Sequence, residues 1–218
     1  MMKKFNEYNK KDKIIRIINY CFSALMVLTS VGLAINAYFN KGFAGATRCM
    51  GPVFHIVLIY IIQAILRYRV SNFVLTFYNV FVFFAALLGT GFDFYNLPHY
   101  DDVMHTTFGY IGGIIGLLLL VKFSDYEKMS IKFVVMMTMF VSMGCAAIWE
   151  IMEYGCDIIL KTTAQGAPVN GIVPLEDTMM DIVVSFIGMI VFEIHYIIHR
   201  VSKKDLMISG MIEDFKNI

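Results

Sequence analysis

Six apolar stretches, each close to the length a helix needs to cross a lipid bilayer, constrain this chain more than any other feature. They run approximately over residues 17–39, 50–66, 73–92, 102–121, 131–152 and 177–198. A helix rises about 1.5 Å per residue, so the ~30 Å hydrocarbon core takes roughly 20 residues. The second stretch is the shortest. Of the 218 residues, 58% are hydrophobic and 16% charged, against about 45–50% and about 25% in soluble domains. A soluble core cannot absorb that excess, whereas lipid can, because a hydrocarbon-facing side chain needs no polar outer face. The pattern predicts an all-α fold: a polytopic transmembrane helical bundle of about six helices in one domain (1–218), with tails at 1–16 and 199–218. The N-terminal charge followed by an apolar run is reminiscent of a signal peptide. The run from Ile17 to Phe39 is longer than a signal's apolar region and ends in no A-x-A site, so it reads as a retained first span.

Lysine and arginine set the expected orientation. The N-terminal tail holds Lys3, Lys4, Lys10, Lys11, Lys13 and Arg16, and the C-terminal tail holds Arg200, Lys203, Lys204 and Lys216. With Arg67, Arg69, Lys122, Lys128 and Lys132 these make fifteen in one set of alternate compartments, against Lys41, Arg48 and Lys161 in the other. Both termini are therefore expected in the cytoplasm, with the chain a multi-pass protein of the cell membrane. Its Ile, Lys, Asn and Met usage fits an AT-rich bacterial genome and hence a bacterial plasma membrane. A net charge of +1 offers no footprint for nucleic acid. Cys21, Cys49, Cys145 and Cys156 show no C-x-x-C spacing and read as buried thiols; a Cys49–Cys156 bridge requires both to lie on one membrane side.

The carboxylates do what the basic residues do not. Asp93, Asp101, Asp102, Glu150, Glu153, Asp157, Glu176, Asp177 and Asp181, nine of seventeen, map to the expected outer half. Acidic residues contribute little to topology, so this grouping calls for its own explanation. Three helices carry it. Asp101 and His105 are i,i+4 at the start of the fourth span, Glu150 and Glu153 are i,i+3 at the end of the fifth with Asp157 four further on, and Asp177 and Asp181 are i,i+4 at the start of the sixth. Each set shares one helix face. From His105 that face continues through Gly109, Gly112 and Gly116, and Gly109–Gly113 and Gly112–Gly116 are overlapping G-x-x-x-G spacings that let helices approach closely. The same glycine face could serve an oligomer contact.

Carboxylates crowded in a membrane repel one another and cost insertion energy, unless protons or a cation sit among them. Asp101, His105, Glu153, Asp177 and Asp181 form a plausible ligand set for a divalent ion. Oxygen and imidazole donors suit Zn, Mn or Fe, and carboxylate–histidine sites inside helical bundles are an established way to hold them. Glu150 is then the candidate general base. His55, Asp102 and Asp157 are additional candidates. A structural reading competes: Asp101, Asp102 and Asp177 also suit helix starts, where carboxylates cap free N–H groups. His105, Glu150 and Asp181 are harder to explain that way, lying deeper or facing small residues. Glu193, His195 and His199 fall at the opposite end, where interfacial solvation suffices. Trp149 and its aromatic neighbours read as an interfacial belt, and the C-terminal tail as a weakly amphipathic segment touching the inner surface.

At these residues the chain resembles the YjdF-like family of bacterial inner-membrane proteins, whose function is unknown. Its pattern is Asp-x-x-x-His at a helix start, Glu-x-x-Glu after an aromatic and Asp-Thr-x-x-Asp at a second helix start. Here these read Asp101 to His105, Trp149-Glu150-Ile151-Met152-Glu153 and Asp177-Thr178-Met179-Met180-Asp181. The likeness covers roughly residues 93–190. Asp102 stands where the family pattern has Lys, which removes a counter-charge. A more distant likeness is to VanZ-like proteins, associated with glycopeptide resistance. The resemblance implies a shared membrane scaffold and supplies no reaction.

Three functions are compatible with these residues: a metal-dependent enzyme acting on a membrane lipid or lipid-linked cell-envelope precursor, a non-catalytic binding or accessory protein, and a cation- or proton-coupled transporter. The orientation is directly testable. A reporter that fluoresces only in the cytoplasm should be bright when fused after Ile218 and dark when fused after Leu97; the reverse result would invert the assignment.

Overall fold

The computed structural model describes residues 10–65, 70–166, 175–202 and 207–216. Among them every regular element is helical. Five stretches are long and apolar enough to cross a membrane: Lys10–Ile65, Asn72–Gly91, Tyr100–Phe123, Ile131–Leu160 and Leu175–Ser202. The chain divides into two compact units, residues 1–97 and 98–216.

In the N-terminal unit the first stretch contains two of the six expected spans. Helix α1 (Lys10–Cys49) has a non-helical Gly42 with φ of 72°, and α2 (Gly51–Ile65) follows after a turn at Met50. The two run antiparallel. Tyr20 meets Tyr60 with ring centroids 6.2 Å apart, Met26 and Ile56 share one core cluster, and the Ser30 hydroxyl donates to the Cys49 carbonyl. Helix α2 is described over fifteen residues, up to Ile65. Helix α3 (Asn72–Val82) is capped by the Ser71 hydroxyl, which accepts from Val74 N at 3.1 Å, and continues as a π-helical segment, Phe83–Gly91.

Polar contacts join α1 to α3 beside the apolar cluster that holds Met26 and Val82. Asn19 Nδ2 donates to Thr76 Oγ1 at 2.8 Å, Asn79 Nδ2 donates to Asn19 Oδ1 at 3.0 Å, and Ser23 Oγ donates to Asn79 Oδ1 at 3.1 Å. Arg16, also buried, donates to the Val70 carbonyl at 2.7 Å. Side-chain hydrogen bonds of this kind hold helices together where lipid removes the hydrophobic drive for association.

The C-terminal unit packs α4 (Tyr100–Phe123), α5 (Ile131–Leu160) and α6 (Leu175–Ser202) together. Their sorting is the reverse of a soluble bundle. On α6, Asp181, Ser185, Gly188, Glu193 and Tyr196 are buried, while Val183, Phe186, Ile187, Ile190, Val191 and Ile194 are exposed. On α5 the buried stripe is Val134, Thr138, Ser142, Ala146 and Glu150, in steps of four. Small and polar residues inside with branched apolar residues outside is the arrangement a bilayer favours.

The glycines of α4 set the distances. A methyl group placed on Gly109 would fall on the Ser185 backbone carbonyl of α6, and one on Gly188 of α6 would fall on the Thr106 carbonyl of α4. Gly112 and Gly116 lie against Ser142 and Thr138 of α5, and Gly113 against the Phe192 ring. These glycines of α4 thus pack against α5 and α6 of the same molecule. Helix α5 runs to Leu160, two turns past the expected end at residue 152, which puts Glu153 and Asp157 on the helix. The C-terminal tail does more than touch a surface: α7 (Ile208–Lys216) packs against α4 and buries Ile208, Met211 and Ile212. All four cysteines are free thiols.

Overpacking a tight core costs about 1–3 kcal/mol. Gly109→Ala and Gly188→Ala should each lower the thermal stability of the detergent-solubilised protein by an amount in that range. Gly144→Ala, where nothing lies within 4 Å of the new methyl, should leave the melting temperature unchanged.

Candidate functional site

One end of the C-terminal unit gathers the start of α4, the end of α5 and the start of α6. His105 sits at its centre, with its side chain 8% exposed. Its Nε2 lies 3.4 Å from Asp101 Oδ1 and 3.8 Å from Asp181 Oδ1, and its Nδ1 lies 3.9 Å from Glu150 Oε1. His105, Glu150, Glu153 and Asp181 can each present a ligand atom with all four within 4.8 Å of one another, and Asp101, Asp177 and Asp181 form a second such group. The two groups share Asp181. Among the described residues no lysine or arginine pairs with any of these carboxylates. Glu150 Oε2 is buried without a hydrogen-bond partner.

The backbone explains why these side chains converge. The Ser185 hydroxyl donates to the His105 carbonyl at 3.1 Å and the Ser142 hydroxyl to the Gly109 carbonyl at 2.7 Å. These bonds pin α6 and α5 to α4 one turn below the cluster, at the level of the glycine contacts.

Several supporting residues were not singled out by sequence reasoning. The Trp149 indole donates from Nε1 to Glu153 Oε1 at 2.8 Å, and its ring lies 5.8 Å from that of Phe108. Trp149 therefore orients a candidate ligand rather than serving only as belt; the i,i+4 spacing to Glu153 was the available signal. Gln165, buried beyond the end of α5, donates to Thr178 Oγ1 at 2.9 Å and to the Glu150 carbonyl at 3.5 Å. No local pattern announces it. Gly166, with φ of 79°, sits against Asp177: a methyl there would come within 3.2 Å of Asp177 Oδ2.

The additional candidates separate from the cluster. Asp157 accepts from Thr162 Oγ1 at 2.5 Å, Ala164 N at 2.7 Å and Gln165 N at 3.0 Å. It shapes the turn that carries Gln165. Asp102 pairs with His99 at 2.9 Å, half-exposed, so the position where a lysine was expected faces a histidine instead. His55 belongs to the N-terminal unit and is in neither group; its carbonyl accepts from the Tyr78 hydroxyl at 2.8 Å. In that unit Lys41 and Arg48 lie 3.5 and 4.0 Å from Asp93, exposed pairs of the kind that contribute little.

A family model described as "Predicted membrane protein (DUF2238)" matches residues 18–202. The chain belongs to this family. It is the same family as the YjdF-like proteins whose three motifs the sequence carries, and its match extends well beyond those motifs into the N-terminal unit. No curated protein and no solved structure matches the chain. The DUF2238 assignment agrees with the multi-pass membrane architecture and leaves the chemistry to the site.

Removing the Asp157 carboxylate strips three hydrogen bonds from the turn that seats Gln165. Asp157→Ala should speed hydrogen–deuterium exchange at Ala164 and Gln165 by roughly 10-fold or more, as a loss of about 1–3 kcal/mol implies. Exchange at the α4 amides should stay unchanged.

Proposed function

We propose that this DUF2238 protein binds a divalent cation, Zn, Mn or Fe, through His105, Glu150, Glu153 and Asp181, and acts with it on a membrane lipid or lipid-linked envelope substrate. The observation that carries the reading is the buried, unpartnered Oε2 of Glu150 within a histidine–carboxylate group drawn from three helices. A lone buried carboxylate oxygen costs on the order of 1–3 kcal/mol or more unless something pairs with it. The His105 contacts support the same reading. At 3.8 Å from Asp181 Oδ1, His105 Nε2 is too far for a hydrogen bond and near enough for both atoms to reach one ion.

Each residue then has a task. Asp181 and His105 supply donors from two helices locked by the glycine contacts. Glu153 is held in orientation by Trp149. Glu150 supplies a further donor from α5, with one oxygen turned toward His105. A bound ion would act as a Lewis acid and make a coordinated water more acidic. Asp101 and Asp177 extend the oxygen set, and because they share Asp181 with the first group, loading of a second ion would make Asp181 a bridge.

Elemental mass spectrometry of the detergent-purified protein tests this. The wild type should carry Zn, Mn or Fe at close to one or two ions per chain, lost in Glu150→Ala and Asp181→Ala and retained in Asp102→Asn. Trp149→Phe, which removes only the bond that orients Glu153, should weaken affinity by about 10–100-fold. A folded wild type that stays metal-free after dialysis against each ion would overturn the proposal and leave an acidic pocket for protons or a cationic ligand.

A further inference from the structure

Away from the carboxylate cluster, the same three helices bury a second acid. Glu193 lies twelve residues beyond Asp181 on α6, about 18 Å further along the helix, and nine residues before its end at Ser202. It is 6% exposed, so the interfacial solvation expected for it is absent. Its neighbours there, Thr138 of α5 and Phe192 and Tyr196 of α6, are each fully buried. Among the described residues no lysine or arginine pairs with Glu193. One of its oxygens, Oε2, has no hydrogen-bond partner, and neither has the buried Tyr196 hydroxyl.

The other oxygen meets Thr138. Thr138 Oγ1 lies 2.6 Å from Glu193 Oε1, 2.8 Å from the Val134 carbonyl and 3.0 Å from the Val135 carbonyl. A hydroxyl has one proton and cannot donate to all three. The i−4 carbonyl is its ordinary partner on a helix. If that proton goes to the α5 backbone, the 2.6 Å contact is made by a carboxylic acid donating to Thr138 Oγ1; if it goes to Glu193, the glutamate is an ionised acceptor. The first arrangement leaves no buried charge, whereas the second leaves an ionised, buried Glu193 with no lysine or arginine beside it among the described residues.

We propose that Glu193 is a proton-binding site of this protein, holding a proton through Thr138 in the half of the C-terminal unit away from the metal cluster. The ionisable groups around it allow that state. On its own helix, His195 is engaged with the Tyr110 hydroxyl of α4 at 2.6 Å, and Tyr196, three residues on from Glu193, stacks on Phe192. Arg200 stacks over the Tyr126 ring at 5.2 Å. From α5 the contact is the uncharged Thr138. The site is independent of the metal reading, because none of its residues belongs to either ligand group.

Infrared spectroscopy of the protein in lipid bilayers reads the proton directly, through the carbonyl stretch of an un-ionised carboxylic acid. The wild type at neutral pH should show this band, moved to lower frequency in D2O. Glu193→Gln should abolish it, and Asp181→Asn, which touches only the cluster, should keep it. Thr138→Val keeps the shape but removes the acceptor, so the band should move to higher frequency as the acid loses its bond. No Glu193-dependent band in folded wild type would overturn the proposal. So would its disappearance on adding excess Na+, which would make Glu193 a site for a metal cation. Because Thr138→Val is read against the wild-type band, the test survives even if Glu193→Gln fails to fold.

Discussion

The close crossing of α4 and α6 is the contact on which the C-terminal unit depends. Gly109 meets the backbone of Ser185, and Gly188 meets the backbone of Thr106, so each helix offers a notch to the other. Two helices that approach this closely bring the residues one turn away into register. His105 lies four residues before Gly109, and Asp181 four before Ser185. The hydroxyl of Ser185 then reaches the His105 carbonyl. Larger side chains at these positions would hold the helices apart and separate the imidazole from the carboxylate. The glycines therefore act on the site through distance, with no chemistry of their own.

Lipid as solvent explains why the interior can be so polar. In water, helices associate by hiding apolar faces; in a bilayer those faces are already satisfied, and the interior is free to hold small residues, hydroxyls and acids. Each unit uses this differently. The N-terminal unit closes an amide and hydroxyl network of Asn19, Ser23, Thr76 and Asn79. The C-terminal unit places acids at two levels of one helix, with Ser185 and Gly188 between them. Near one end six ionisable groups converge. Further along a single glutamate meets a single threonine.

Much of this was legible in residues alone. Length and apolarity located the passes, and helical spacing placed Asp101 with His105, Glu150 with Glu153 and Asp177 with Asp181. The limits have physical causes. The second pass was legible as the shortest, but its side-chain contacts with α1, which depend on the turn at Met50, were not. Trp149 looked like interfacial aromatic belt, since its indole proton has no visible partner until the rotamer is known. Gln165 sits in a turn whose shape comes from Asp157. Glu193 reads as a solvated end residue when only sequence distance to the helix end is considered; the packing of Thr138 against it is what removes the water.

The sequence by itself determined the all-helical membrane class and which side chains share a helix face, because both follow from apolar run length and a period of 3.6 residues. Only the tertiary structure decided which faces meet: that the glycine stripe of α4 is spent on α5 and α6 of the same chain, that His105 stands among acids from two other helices, and that Glu193 is enclosed. Periodicity describes one helix at a time, whereas these facts depend on interhelical distance and rotation, which backbone contacts at a few glycines set.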